Sequence, residues 1–254
     1  MIKVLNKMFS ILEAVVIASP NPVSVGKLSE KFDINKATCS RIIGDLVSCG
    51  YIKQVSRMEG YIAGPRAYSF GKQVSYKENL LLEVSPMIED CARAIKESVL
   101  IAEMCRGKRY ITCHHNYNPS MNIFLNQLAY DDLYDTATGI LLLAYAFKED
   151  VDTIVEKKGL PTSTTWPTIS TKEEMYDFLG KIKNSGSYVF DGPTDNELSI
   201  ASFPVFQNGK CIFVIGVSVP HNDFNGKHKD NVLQAVKLTA AKISVAISSV
   251  GSVG

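Results

Sequence analysis

The chain has 254 residues, 46% of them hydrophobic and 21% charged, and a formal net charge of +1. That length suits two domains of ordinary size, and the balance excludes extensive disorder. It contains no run of about 18 apolar residues, so no helical membrane span is expected.

The first helix is expected from Val4 to Ala18, because Leu5, Met8, Phe9, Leu12, Val15 and Val16 recur at helical spacing. Lys7 and Glu13 interrupt the apolar run, which distinguishes it from a signal peptide. Pro20-Asn21-Pro22 breaks the chain, and two short amphipathic helices follow between Ser24 and Gly50. Ser24 can cap the first of them, in which Val25, Leu28 and Phe32 share a face; Asn35 can cap the second. In the second helix Cys39, Ile42, Ile43 and Leu46 face inward, and Ala37, Ser40, Arg41, Gly44 and Ser48 face outward. The outer face is small, polar and basic, as close approach to a major groove requires. Tyr51–Val55 and Tyr61–Ala63 then read as a hairpin closed by Ser56–Gly60. Three helices and a hairpin are the order of a winged helix-turn-helix, with Lys53 and Arg57 of the wing near phosphates. Charge agrees: residues 1–75 hold ten Lys or Arg against five Asp or Glu, and the remainder holds 17 against 21. A basic head on an acidic body suits a polyanion-binding module joined to a separate one.

A connecting helix is expected from Tyr68 to about Tyr76, with a boundary near residue 76 and a longer helix over Leu80–Lys96. Pro86 fits a first helical turn better than an interior, which would move that helix's start to about Ser85. Val99–Cys105 and Arg109–His114 flank the turn Arg106-Gly107-Lys108, and Ile123–Leu125 forms another short strand. Helices follow at Ala137–Phe147, Asp150–Lys157 and from a cap at Ser170 or Thr171 to about Asn184. Tyr188–Phe190, Ile200–Val205 and Cys211–Val219 read as strands, the last two joined through Gln207–Lys210. A closing helix carries the seam Leu233, Val236, Ala240, Ile243, Ile247 and Val250. The second unit is thus an α+β, sensor-like layer structure.

The six cysteines contain no C-x-x-C pair, and several fall on apolar faces, so reduced thiols in a cytoplasmic protein are expected. His114 and His115 are adjacent on a strand and point to opposite faces, and His221 and His228 have no thiolate or carboxylate at motif spacing. No metal and no cofactor is therefore assigned. G-x-S-x-G, a phosphate-binding glycine loop and H-E-x-x-H are all missing, which disfavours an enzyme. The alternative reading is a small-molecule enzyme or binding protein whose N-terminal helices serve only assembly. Trp166, between Thr165 and Pro167, suits a loop anchor.

INKATCSRIIGDLVSCGYI followed by GYIAGPRAYSFG resembles the recognition helix, wing and linker entry of the IclR family of transcriptional regulators. LYDTATGILLLAY and SIASFPVFQNGKCIFVIGVSVP resemble the loop, helix and strands beside that family's ligand pocket. The resemblance implies a winged-helix DNA-binding domain over residues 1–66, a linker helix over 67–78 and a GAF-like effector-binding and oligomerisation domain over 79–254. It also implies double-stranded promoter DNA as partner, homodimers that can pair into tetramers, and repression or activation according to a small ligand; a repressor is expected. Its DNA-contacting segment falls on Lys36, Ala37, Thr38, Ser40 and Arg41, and Asn35 with the amides after it could hold a phosphate at the helix N-terminus. Arg41 is the candidate base or phosphate contact, and an ion pair with Asp45 is the structural alternative. Its ligand site falls on Ile123, Leu125, Ala137, Thr138, Gly139, Asp191, Ile200, Gly216 and Ser218, with Asp195 and Glu197 as rival acids. The helix start at Thr138 favours an organic acid. Ile200 and Gly216 stand where some members carry hydrogen-bonding side chains, so this pocket should have fewer of them.

Overall fold

The computed structural model describes residues 3–56, 58–73, 78–121, 125 and 127–250. Contacts divide the chain near Glu78 into two compact units.

The first unit follows the apolar periodicity of its helices. α1 (Lys3–Ala18), α2 (Val25–Lys31) and α3 (Lys36–Ser48) meet in a core of Ile11, Val15, Leu28, Ile34, Cys39, Ile42, Ile43 and Leu46, which Ile52 closes. The four inward residues expected on α3 are all buried. β1 (Ile52–Ser56) and β2 (Gly60–Ala63) form an antiparallel hairpin with one irregularity between Gln54 and Ser56. Val23 bridges to Tyr61, tying the segment before α2 to the wing. α4 (Pro65–Gln73) begins three residues earlier than expected. Proline at a first helical position gives up no bond, since that N–H has no intrahelical acceptor. Arg66, one residue on, stacks on the Tyr51 ring and donates to the Cys49 carbonyl at 3.2 Å.

The second unit is a five-stranded antiparallel sheet of order β4-β3-β7-β6-β5 with helices on both faces. Its strands are β3 (Ser98–Cys105), β4 (Lys108–Asn116), β5 (Tyr188–Phe190), β6 (Leu198–Gln207) and β7 (Lys210–Pro220). Both long hairpins close through two positive-φ residues, Arg106-Gly107 and Asn208-Gly209, whose backbone twist suits antiparallel strands. One sheet face packs on α5 (Glu78–Ile95) and α9 (Gly226–Val250), through side chains such as Val99, Ile101, Phe213 and Val217. The other face packs on α6 (Ala137–Tyr145), α7 (Lys148–Lys158) and α8 (Lys172–Ser185), through Ala102, Tyr188, Ile200 and Val214.

Four expectations need correction. α5 runs through Pro86 instead of starting beside it. The carbonyl that loses its bond is four residues back, at exposed Leu82, where water can replace the missing N–H. α6 ends at Tyr145, two residues short, because Ala146 turns to extended backbone before α7. The α9 seam includes Val232, fully buried one turn ahead of Val236, whereas Leu233 is only half-buried. Leu125 lies in no strand, and Ile123 is outside the described residues.

Candidate DNA-reading helix and effector site

At the head of α3, the Asn35 side chain accepts from the Ala37 amide at 2.8 Å. The cap uses the oxygen that would otherwise be free for a ligand, but it sets the helix start firmly. Lys36, Ala37, Ser40, Arg41 and Gly44 are exposed and Thr38 is half-buried, so most of the expected face is open. Arg41 and Asp45 form no ion pair, which leaves the guanidinium to the solvent side. Lys53 is exposed on β1, and Arg57 lies outside the described residues.

In the second unit, the loop before α6 is fastened along its length. Arg109, nearly fully buried, grips Asp132 with two hydrogen bonds, from Nε at 2.8 Å and Nη2 at 2.5 Å. Its guanidinium also lies over the Tyr130 ring. Lys158 reaches the Asp131 carboxylate and carbonyl, both at 2.7 Å. The Tyr134 carbonyl accepts from Trp166 Nε1 at 2.8 Å and from the Thr165 hydroxyl at 3.0 Å. Burial pushes the Tyr134 hydroxyl up to about 12, so it stays protonated and donates to the Gly159 carbonyl. Trp166 is therefore the loop anchor expected from its position.

This loop delivers the start of α6. Thr136 is its N-cap, accepting from the Gly139 amide at 3.1 Å. Of the three amides expected to meet a ligand, that of Gly139 is thereby taken. The amides of Ala137 and Thr138 have no acceptor among the described residues, nor does the hydroxyl of Thr138, a residue only 4% exposed, have a partner there. Gly139 lies against the Leu133 backbone: a β-carbon there would come within 2.5 Å of the Leu133 carbonyl oxygen. Gly216 on β7 faces Thr138, and a β-carbon there would lie 2.4 Å from its methyl group. Both glycines let helix, loop and sheet approach closely. The Gly139 amide is spent on the cap, and neither glycine has room for a side chain.

The helix direction places the remaining candidates. The Ala137 carbonyl accepts from the Ser202 hydroxyl at 2.8 Å, whereas Tyr145 at the far end packs edge-on against Phe206. The N-terminus therefore points toward the sheet end where Ile200 pairs with Ser218 and Ser218 pairs with Ser98. Ser218 and Ile200 thus lie ahead of the helix start, as a binding site there requires. Ile200 belongs to the apolar cluster beneath α6. The Ser218 hydroxyl has no partner among the described residues. Asp191 follows β5 at the same sheet end but is exposed and ion-paired with Lys229. Asp195 and Glu197 are exposed.

Several groups escaped the sequence reading. Thr136 was legible as a hydroxyl residue immediately before an apolar helix. Arg109–Asp132 and the hydrogen bond between Ser98 and His114 were not, since no local spacing connects them. Among the described residues no cluster of three His, Cys, Asp or Glu side chains could hold a metal. His221 and His228 turn to separate partners, Ser199 and Glu97.

The family model described as "Bacterial transcriptional regulator IclR C-terminal" matches residues 73–245. The HTH-type transcriptional regulator KdgR of Escherichia coli K12 is 22% identical over 241 residues, covering 94% of this chain and 90% of that protein. The DNA-binding transcriptional repressor YiaJ of the same organism is 23% identical over 231 residues, covering 89% and 81%. An IclR regulator from Alicyclobacillus acidocaldarius superposes with TM-score 0.74 at 18% identity, covering 96% of this chain and 98% of that one. An IclR homologue from Microbacterium hydrocarbonoxydans, solved with 4-hydroxybenzoate, has TM-score 0.74 at 15% identity, covering 95% and 98%.

Proposed function

We propose, from the premise that this chain belongs to the IclR family of ligand-responsive transcriptional regulators, that α3 reads promoter DNA and that an organic acid bound ahead of α6 controls it. The observation that carries the acid is the start of α6. Two backbone amides without acceptors among the described residues, and the hydroxyl of Thr138, lie at the helix start, where the helix dipole favours a negative charge. The loop holding them is fixed by Arg109 and Trp166, so the donors are pre-positioned.

On this reading residues 1–66 are the DNA-binding domain, 67–78 the linker, and 79–254 the effector and oligomerisation domain. Asn35, Lys36, Ala37, Thr38, Ser40 and Arg41 form the DNA-facing segment, with Lys53 and Arg57 on the wing. Ala137, Thr138, Ile200 and Ser218 serve the effector, with Gly139 and Gly216 shaping the site. The protein acts as a homodimer, or a tetramer of paired dimers, and exposed Val4, Leu5 and Phe9 on α1 offer apolar surface for such pairing. The name of YiaJ supports the reading as a repressor, and a DNA-binding role suits a cytoplasmic protein. No described helix is long and apolar enough to cross a membrane.

A mobility-shift titration on DNA upstream of its own and neighbouring genes tests the proposal. Saturable binding that weakens steeply with salt, and that responds to added carboxylic acids, is expected. Salt-insensitive or absent binding overturns it.

A further inference from the structure

The sheet face beneath α6 is lined mainly by apolar side chains, with Ser202 committed to the Ala137 carbonyl, and one end of it carries a row of polar groups. There the register sets Asn116, Ser98, Ser218, Ile200 and Phe190 side by side across five strands, ahead of the helix start. One step along, His114 occupies β4 opposite Leu100, on the same face. Its Nε2 bonds the Ser98 hydroxyl at 2.8 Å although Ser98 is only 2% exposed. Ser218 and Thr138 add two hydroxyls without partners among the described residues. Uncommitted polar groups on a mainly apolar sheet face mark a place where a polar ligand completes the hydrogen bonding.

The chemistry of the row selects among acids. Burial, followed by the neighbouring His115, holds the His114 imidazole below its ordinary pKa, so it is neutral near pH 7. A neutral imidazole and hydroxyls both donate and accept, as alcohol groups do. Arg109 shares this sheet face but is committed to Asp132, and Lys229 is committed to Asp191. The row therefore offers no free cation for a second carboxylate. From β7 to β4 it crosses two strand spacings, about 10 Å.

We propose that Ser98 and His114 form the far end of the effector site and select a hydroxylated monocarboxylic acid, its carboxylate at the start of α6 and its hydroxyls along Ser218, Ser98 and His114. The inference rests on the carboxylate reading above and adds the ligand class. Ser98 and His114 are specificity residues in this scheme; they do not supply the charge that holds the acid.

Three six-carbon probes separate the possibilities on the full chain: gluconate, hexanoate and adipate. Thermal shift and calorimetric titration should show gluconate binding at least about tenfold more tightly than hexanoate or adipate. His114→Leu and Ser98→Ala should each remove most of that preference by lowering gluconate affinity toward that of hexanoate. Ser98→Ala carries the test if His114→Leu does not fold. Hexanoate or adipate binding as well as gluconate, or a preference that survives Ser98→Ala, overturns the inference alone. If none of the three acids binds, the carboxylate reading falls and this inference with it. If hexanoate binds and Thr138→Val abolishes it, the carboxylate reading stands whatever gluconate does.

Discussion

Gly216 and Gly139 meet different kinds of neighbour, and the difference sets what a substitution costs. At Gly216 an added β-carbon meets the Thr138 methyl group, a side-chain atom that can be removed or turned. Gly216→Ala should lose about 1–3 kcal/mol in urea unfolding, and Thr138→Ser should recover most of it, so the pair is non-additive. Additive losses would show that Thr138 is not the obstacle. At Gly139 the obstacle is the Leu133 backbone, so no single side-chain change should rescue Gly139→Ala. On the outer face of α3, Arg41 is exposed and unpaired with Asp45, so Arg41→Ala should leave the urea midpoint unchanged. It should weaken specific DNA binding by about 1–3 kcal/mol. A large fall in stability would instead make Arg41 structural.

Among elements, the loop from Tyr130 to Thr136 is the one whose order depends on distant partners. Arg109 on β4 is buried and its charge is matched by Asp132. Removing one member of a buried pair costs roughly 3–5 kcal/mol, because the other charge is left desolvated, whereas replacing both costs far less. Asp132→Ala should therefore destabilise more than Arg109→Met with Asp132→Leu, measured by thermal unfolding. The reverse order would mean that solvent already screens the pair. Local signals sufficed for other elements. Thr171 and Glu174 form the reciprocal capping box expected at the head of α8, and Asn208-Gly209 makes the expected tight turn. α5 shows where local rules lose. The apolar face that buries Val84, Ile88 and Ala92 outweighs the missing bond at Pro86.

For the molecule as a whole, the His114 imidazole links stability to pH. Its folded pKa lies below the ordinary 6.5, so between those two values the unfolded chain binds the extra proton and the native chain does not. Stability is then full above about pH 6.5 and declines as pH falls toward the folded value. Melting temperatures from pH 7.5 to 5.5 should fall, and His114→Gln should flatten the decline; an unchanged slope would remove His114 as its source. Period and turn chemistry by themselves determined the order of helices and strands, the inward face of α3 and the basic head, because these depend on neighbours within a few residues. The family resemblance was carried by the residue strings themselves, from Ile34 to Ile52 and from Leu133 to Tyr145. Only the tertiary structure decided that Gly139 and Gly216 are points of close packing, that Arg109 fixes the loop before α6, and that Ser98 and His114 stand ahead of α6. Those relations join residues far apart in the chain, and strand register and helix direction, which no local spacing encodes, bring them together.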